Sequence, residues 1–300
     1  MKSVLISLLF ILIPTFLTAQ TDSEIIIYDG QKGVYYVKYW SNIDTMFYTI
    51  PLFPGNKIDP KLRAKVINTD STGLRFEYYL SNSSSSLREL FKIELSIDTR
   101  ISDLKAPNRE WSSQYQKGIR SIKWANIYSQ SEVLGILPGH EVREPFSFTS
   151  TGLPIPTLSS IASYSALGNT RDSGPTGKLR AKVDSILINE SHIILPTLGP
   201  WLPDSSLSFI DFTDTLETFR FRSCEELDWA TDAGVCGELQ DYLSEVKTAL
   251  EMEDSLSAAN ALAEFIALVE AEKDASLTSE GYALLYFNAE YLADRLTKPK

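Results

Sequence analysis

The first half of the chain carries hydrophobic residues at every second position in several short runs. The clearest runs are 61–68, 75–81 and 90–97, where most apolar side chains alternate with polar ones. This period is typical of a strand with one buried face and one face in water. The same reading predicts further strands at 24–28, 34–40, 45–50, 119–125, 142–149 and 161–165.

Turn-forming residues separate these runs, and no helical pattern lies between them. Many short strands joined in this way favour an antiparallel β-sandwich. Two sheets are needed because a single open sheet leaves one apolar face in water. We therefore predict a β-sandwich domain over 20–165.

The period changes to that of a helix after Asp211. Hydrophobic residues follow an i, i+3, i+4, i+7 spacing within 239–250, 262–269 and 285–296, and a weaker first helix spans 211–228. Residues 254–255 and 278–280 have the composition of helix N-caps. The sequence predicts a small three- or four-helix bundle over 211–300, so the fold class is multidomain, β then α.

The segment 166–210 has a weaker pattern and is rich in Gly, Pro and Ser. Two short apolar stretches, 186–188 and 193–195, suggest a hairpin. We interpret the segment as a connector that adds at most a strand to the sandwich.

The chain begins with one lysine, an apolar run and a small residue before a polar segment. This pattern predicts a secretory signal peptide over 1–19, with cleavage after Ala19. The apolar run is shorter than the roughly 20 residues of a spanning helix. We expect an exported protein, periplasmic or extracellular, with no integral membrane segment after cleavage.

Charge is divided unevenly along the chain. Residues 211–295 hold 20 acids and 5 bases, a net charge of −15, whereas residues 20–210 hold 19 acids and 20 bases, a net of +1. The shift supports a domain boundary near 210. An acidic surface repels phosphate backbones, so we expect no nucleic-acid partner.

Two cysteines, Cys224 and Cys236, lie in the acidic half. A metal site needs more ligands than two thiolates, and redox pairs are usually spaced as C-x-x-C. In an exported chain we interpret the pair as a structural disulfide.

The C-terminal region resembles the FIMAH domain of secreted bacterial proteins. The resemblance is carried by the helical segment 256–271, the Leu-Thr-Ser-Glu start at 277–280 and the segment 289–296. It covers roughly 232–296 and implies an accessory helical module without catalytic residues. Residues 76–82, with 136–139 and 146–148, look like the Ig-like sandwich that often precedes such a module, a likeness of fold alone.

No catalytic motif is evident. The run His140-Glu141-Val142-Arg143-Glu144 lacks the second histidine of a zinc protease, and nearby prolines and Gly139 argue against a helix there. A nucleophile elbow and a phosphate-binding glycine loop are both absent from the sequence. We therefore predict no cofactor, no metal site and no enzymatic activity, although a hydrolase with paired carboxylates stays open.

Aromatic residues crowd the strand region, and exposed rings on a sandwich can stack on sugars. The rings of interest include Trp40, Trp111 and Trp124, which we take as speculative ligand contacts; the alternative is that they fill the core. Our first hypothesis is a non-catalytic structural or interaction protein with an unknown protein or glycan surface partner. The alternative is a carbohydrate-binding module or an accessory subunit of a secreted hydrolase.

Overall fold

The computed structural model describes residues 24–69, 73–127, 135–163 and 174–297, so the predicted signal peptide over 1–19 lies outside the described residues. The strands are β1 (Ile25–Asp29), β2 (Val34–Ser41), β3 (Met46–Leu52), β4 (Pro60–Thr69), β5 (Gly73–Asn82), β6 (Lys92–Ser96), β7 (Ser102–Lys105), β8 (Trp111–Gln116), β9 (Ser121–Asn126), β10 (Phe146–Ser150), β11 (Leu153–Ala162) and β12 (Ile193–Trp201). The helices are α1 (Gly177–Asn189), α2 (Phe209–Phe221), α3 (Ala233–Glu251), α4 (Ser255–Ala271) and α5 (Ser279–Thr297).

The strands form three antiparallel sheets. The N-terminal sheet has the order β1-β2-β3, the four-stranded sheet has the order β4-β5-β10-β7, and the five-stranded sheet has the order β12-β11-β6-β9-β8. The alternating runs predicted at 75–81 and 90–97 correspond to β5 and β6. The prediction of an antiparallel β-sandwich followed by a helical region is confirmed.

The four- and five-stranded sheets enclose an aromatic core. Phe76 and Phe148 stack with ring centroids 5.2 Å apart, and Trp124 packs on the same cluster. The hydroxyl of Tyr78 donates to the carbonyl oxygen of Leu198, 2.8 Å away on the opposite sheet. Since a buried hydroxyl needs a partner, this bond fixes how the sheets face each other.

The N-terminal sheet lies outside this sandwich and has a core of its own. Its inner face, which includes Val37 and Tyr39, packs with Leu179 and Val183 of helix α1. A three-stranded sheet needs cover on its apolar face, and α1 supplies it. The structure thus differs from the sequence-based division, in which these strands belong to the sandwich and 166–210 is a connector.

The hairpin suggested for 186–188 and 193–195 is wrong. Ile186 and Leu187 belong to α1, where they follow Leu179 and Val183 on the side that meets the N-terminal sheet. Residues 193–195 begin β12, which pairs along its whole length with β11 at the edge of the five-stranded sheet.

The helical region follows the predicted pattern. The carboxylate of Asp254 accepts from the backbone N–H of Ser257 at 3.0 Å, and the hydroxyl of Thr278 accepts from that of Gly281 at 3.2 Å, so the caps predicted for these two helices are confirmed. A single π-helical turn, Arg222–Glu226, extends α2. The disulfide Cys224–Cys236 is present and joins this turn to the first turn of α3.

The buried side chains of α2 to α5 form one continuous core with the sandwich. Helix α5 makes most of the contact, against β4 and β11. The side-chain amide of Asn288 donates to the carbonyl oxygen of Pro154 at 2.9 Å across this junction. No helix of the described residues is both long and apolar enough to cross a membrane.

Candidate functional site

Two of the three tryptophans predicted as ligand contacts are enclosed in the sandwich. Trp124 is completely buried, and its indole N–H donates to the carbonyl oxygen of Lys105 at 3.0 Å. Trp111 is 6% exposed and meets Phe146 edge to face, with ring centroids 4.9 Å apart. Neither ring is available to stack on a sugar, so the expectation for Trp111 and Trp124 is wrong because the second sheet covers them.

Trp40 lies on the opposite side of the N-terminal sheet from α1 and is 40% exposed. Side chains along a strand alternate between faces, so Tyr36 and Trp40 share the outer face while Val37 and Tyr39 point to α1. Trp40 is paired in register with Phe47 of β3, and their rings meet at 70° with centroids 5.1 Å apart. The third predicted contact is thus part of an exposed aromatic surface.

Strand β1 extends this surface with aliphatic side chains. Ile27 pairs in register with Tyr36 and is 54% exposed, and Ile25 pairs with Lys38 and is 39% exposed. The ammonium group of Lys38 lies 4.9 Å from the ring centroid of Phe47. We call this surface the aromatic face; its residues are Ile25, Ile27, Tyr36, Lys38, Trp40 and Phe47.

The aromatic face has the chemistry of a contact surface. The ammonium group of Lys38 lies over the ring of Phe47, an arrangement that suits a cation–π contact. Burial of exposed Ile and Trp side chains against a partner is favourable, because it removes apolar surface from water. The arrangement therefore has the properties of a binding surface.

The N-terminal sheet is held to the rest of the chain through Glu190, just after α1. The hydroxyl of Tyr35 donates to the Glu190 carboxylate, and this hydrogen bond, with burial and the nearby negative charge, raises the pKa of Tyr35 to about 12. The ammonium group of Lys57 forms a salt bridge with the same carboxylate at 3.2 Å. Sheet and helix are thus fixed together, which orients the aromatic face.

The other rings of the strand region divide between two environments. Tyr35, Tyr39 and Tyr48 lie against α1, and Tyr115 packs on the sandwich core. The grouping of Ile25 and Ile27 with the rings was not predicted, because β1 begins Ile-Ile-Ile-Tyr and its sequence does not alternate between apolar and polar residues.

The run at His140 is not helical, as expected. His140, Glu141 and Glu144 line a groove of about 420 Å³ beside Trp111, and Nδ1 of His140 lies 3.1 Å from the carbonyl oxygen of Pro138. Among the described residues, no group of three or more His, Cys, Asp or Glu side chains is placed to hold a metal ion.

Comparison with known proteins gives likenesses to solved structures only. No family model and no curated protein matches the chain. One similar solved structure is the crystal structure of an uncharacterized protein from Nocardia farcinica, which reveals an immunoglobulin-like fold. The match covers 45% of this chain and 95% of that chain, at 9% identity and a TM-score of 0.26, so the sandwich assignment here rests on the strand pairing.

Proposed function

We propose that the protein is an exported, non-catalytic interaction protein that binds a partner protein through the aromatic face. The observation that carries this proposal is the exposure of Ile25, Ile27 and Trp40 together on one side of the N-terminal sheet. Clustered apolar side chains on a surface mark sites of interaction. Export rests on the sequence pattern of residues 1–19.

A protein partner fits this surface better than a sugar. Sugar stacking favours rings that lie flat, whereas Trp40 and Phe47 meet at 70° and are flanked by branched aliphatic residues. Aromatic side chains at the centre of a patch are typical anchors of protein interfaces. Carbohydrate binding remains the second candidate, because the exposed indole of Trp40 offers one stacking surface.

The helical region supplies the accessory part of this proposal. We propose that 211–300 acts as a module like the FIMAH domain, since α4 contains 256–271 and α5 contains 289–296, two of the three segments that carry the resemblance. Its core is continuous with that of the sandwich, which supports a role in stiffening the molecule. No side chain of this region is assigned a catalytic role.

Site-specific crosslinking tests the proposal. In the mature chain, a photo-crosslinking residue replaces Ile27. The matched control replaces Ile119, which is 66% exposed in the β8–β9 turn. We expect crosslinking to one envelope or secreted protein from position 27 only, and loss of that product in the Trp40→Ser variant. Equal products from both positions, or no effect of Trp40→Ser, would contradict the proposal.

A glycan array with the same variants separates the two candidates. The protein-partner proposal expects no glycan signal that depends on Trp40. A glycan signal that is abolished by Trp40→Ser but retained by Ile119→Ser would instead establish the carbohydrate-binding alternative.

A further inference from the structure

A row of cations follows the outer face of β4. Lys61, Arg63 and Lys65 are exposed, while Ala64 between the last two and Val66 after them are buried in the sandwich. Alternate residues of a strand lie about 7 Å apart, so the three side chains span about 14 Å.

The row borders a groove between the sandwich and the helices. Arg63 and Lys65 line a cavity of about 420 Å³ together with Lys273 from the α4–α5 connection. The side chains of Ser279 and Asp274 complete the polar part of its wall. A second cavity of about 360 Å³, also lined by Lys65 and Lys273, continues the groove along β4. We call this feature the basic groove.

The cations of the basic groove have no carboxylate partner at salt-bridge distance among the described residues. Glu77 stands opposite Lys65 on β5, but it is engaged by Arg75 at 3.2 Å and by the hydroxyl of Tyr79 at 3.0 Å. At the far end, Glu290 accepts from the hydroxyl of Tyr286 at 2.7 Å. These two acids do not form ion pairs with the cations of the groove. Asp274 lines the groove itself, and the negative charges of Glu144 and Glu270 lie near Tyr79 and Tyr282 in its wall.

Aromatic rings support two of the cations. The guanidinium of Arg63 lies 5.0 Å from the ring centroid of Tyr79, and the ammonium of Lys273 lies 4.3 Å from that of Tyr282. Cation–π contacts of this kind hold a charge in place without neutralising it. The two walls are also fixed to each other, because the Glu280 carboxylate of α5 accepts from the backbone N–H of Ala64 on β4.

We propose that the basic groove binds an acidic polysaccharide whose carboxylate or sulfate groups pair with Arg63, Lys65 and Lys273. Two cations about 7 Å apart on β4 and a third on the opposite wall fit a linear ligand with repeated charges, and Ser279 and Asp274 provide hydrogen-bonding groups for sugar hydroxyls. The chain as a whole carries a net charge of −11 and therefore repels polyanions in general. Binding of an acidic polysaccharide would thus depend on the local positive charge of the basic groove.

Other polyanions fit the groove less well. A membrane surface is flat, whereas these cations lie in a recess between a sheet and a helix. Single-stranded nucleic acids are usually bound by stacking of their bases on exposed aromatic rings. In the groove, the rings of Tyr79 and Tyr282 already contact Arg63 and Lys273 through cation–π interactions. This inference concerns a different surface from the aromatic face and does not depend on it.

Titration of the mature full-length chain with polygalacturonate and with dextran sulfate tests the inference, with neutral dextran as the uncharged probe. We expect binding to at least one acidic probe, none to neutral dextran, and weakening as salt is added. Arg63→Ser, Lys65→Ser and Lys273→Ser combined should weaken binding about tenfold. The control combines Lys117→Ser, Lys178→Ser and Lys182→Ser, the same loss of charge at exposed positions outside the groove, and should bind as the parent does.

Several results would overturn the inference. They are no binding to either acidic probe, equal weakening in both triple variants, tighter binding to anionic lipid vesicles or to DNA, and a salt-sensitive dimer that occupies the groove. If the groove variant fails to fold by circular dichroism, Lys65→Ser alone decides the question. That single change should weaken binding about threefold, and an unchanged affinity would count against the groove.

Discussion

The buried carboxylate of Glu280 accepts a hydrogen bond from the backbone N–H of Ala64, across the junction between helix α5 and strand β4. Strand β4 is at the edge of the four-stranded sheet, so its outward N–H groups have no neighbouring strand. Unpaired edges invite association with other chains unless they are covered. The helical region thus closes an edge of the sandwich as well as sharing its core.

Replacing Glu280 should destabilise this junction. Glu280→Ala leaves the buried N–H of Ala64 without an acceptor, and we expect the free energy of unfolding to fall by about 1–3 kcal/mol. Glu280→Gln retains an acceptor oxygen and should cost less. Urea unfolding followed by tryptophan fluorescence measures both, and Glu264→Ala, at an exposed position of α4, is the control. Equal stability of the Glu280→Ala and Glu264→Ala variants would contradict the proposed contribution of this bond.

The disulfide Cys224–Cys236 should stabilise the helical region. Its cysteines are 12 residues apart, and closing a loop of that length restricts the unfolded chain by about 3 kcal/mol in the loop-entropy model. We expect a reducing agent to lower the midpoint of urea unfolding for the parent chain. A variant with both cysteines changed to serine should show the lower midpoint with or without the reducing agent. A parent midpoint that does not respond to complete reduction would rule out a stabilising effect.

The two environments of tryptophan predict opposite phenotypes. Trp124→Ala empties the centre of the sandwich and should cost about 3–5 kcal/mol of stability. Trp40→Ala removes a half-exposed side chain and should change stability by less than about 1 kcal/mol while abolishing partner binding. Thermal unfolding and the crosslinking experiment together separate the effects. Similar losses of stability in both variants would mean that Trp40 is structural.

The regular elements were predictable because their pattern is local. Alternation marks β5, where Phe76 and Tyr78 are buried, and helical spacing marks α3, where Leu239 and Val246 are buried. In each case the sequence shows which residues share a face. Burial of that face then follows from the hydrophobic effect alone.

The candidate site was less predictable because covering a face depends on distant parts of the chain. Nothing near Trp124 in sequence indicates that a second sheet encloses it. Likewise, the inner face of β2 is covered by Leu179 and Val183, which come more than a hundred residues later. The stripe on α1 was visible at Leu179, Val183 and Ile186, but the surrounding Gly, Pro and Ser residues favoured a connector.

The bond between Tyr35 and Glu190 predicts a pH dependence. The hydrogen bond favours the protonated phenol, so the pKa of Tyr35 rises from about 10 in the unfolded chain to about 12 in the folded protein. The stabilisation is complete below pH ~10 and disappears as the pH increases through about 12. Ultraviolet absorbance of tyrosinate, compared between the parent and Tyr35→Phe, isolates this titration.

Glu190→Gln provides the matched variant for that measurement. It removes the negative charge while retaining an acceptor for the phenol, so we expect the pKa of Tyr35 to move back toward its ordinary value. An unchanged titration of Tyr35 in this variant would show that Glu190 does not cause the shift.

The separate core of the N-terminal sheet predicts that this part of the molecule opens on its own. Five buried side chains from the sheet and α1 form that core, apart from the large core shared by the sandwich and the helices. Leu179→Ala removes one of them and should cost about 2–5 kcal/mol locally. Because small units with few buried contacts open below the global free energy of unfolding, hydrogen exchange should accelerate at Val37 and Tyr39. Exchange at Tyr78, in the sandwich, should not change, and equal acceleration there would mean that the two cores unfold as one unit.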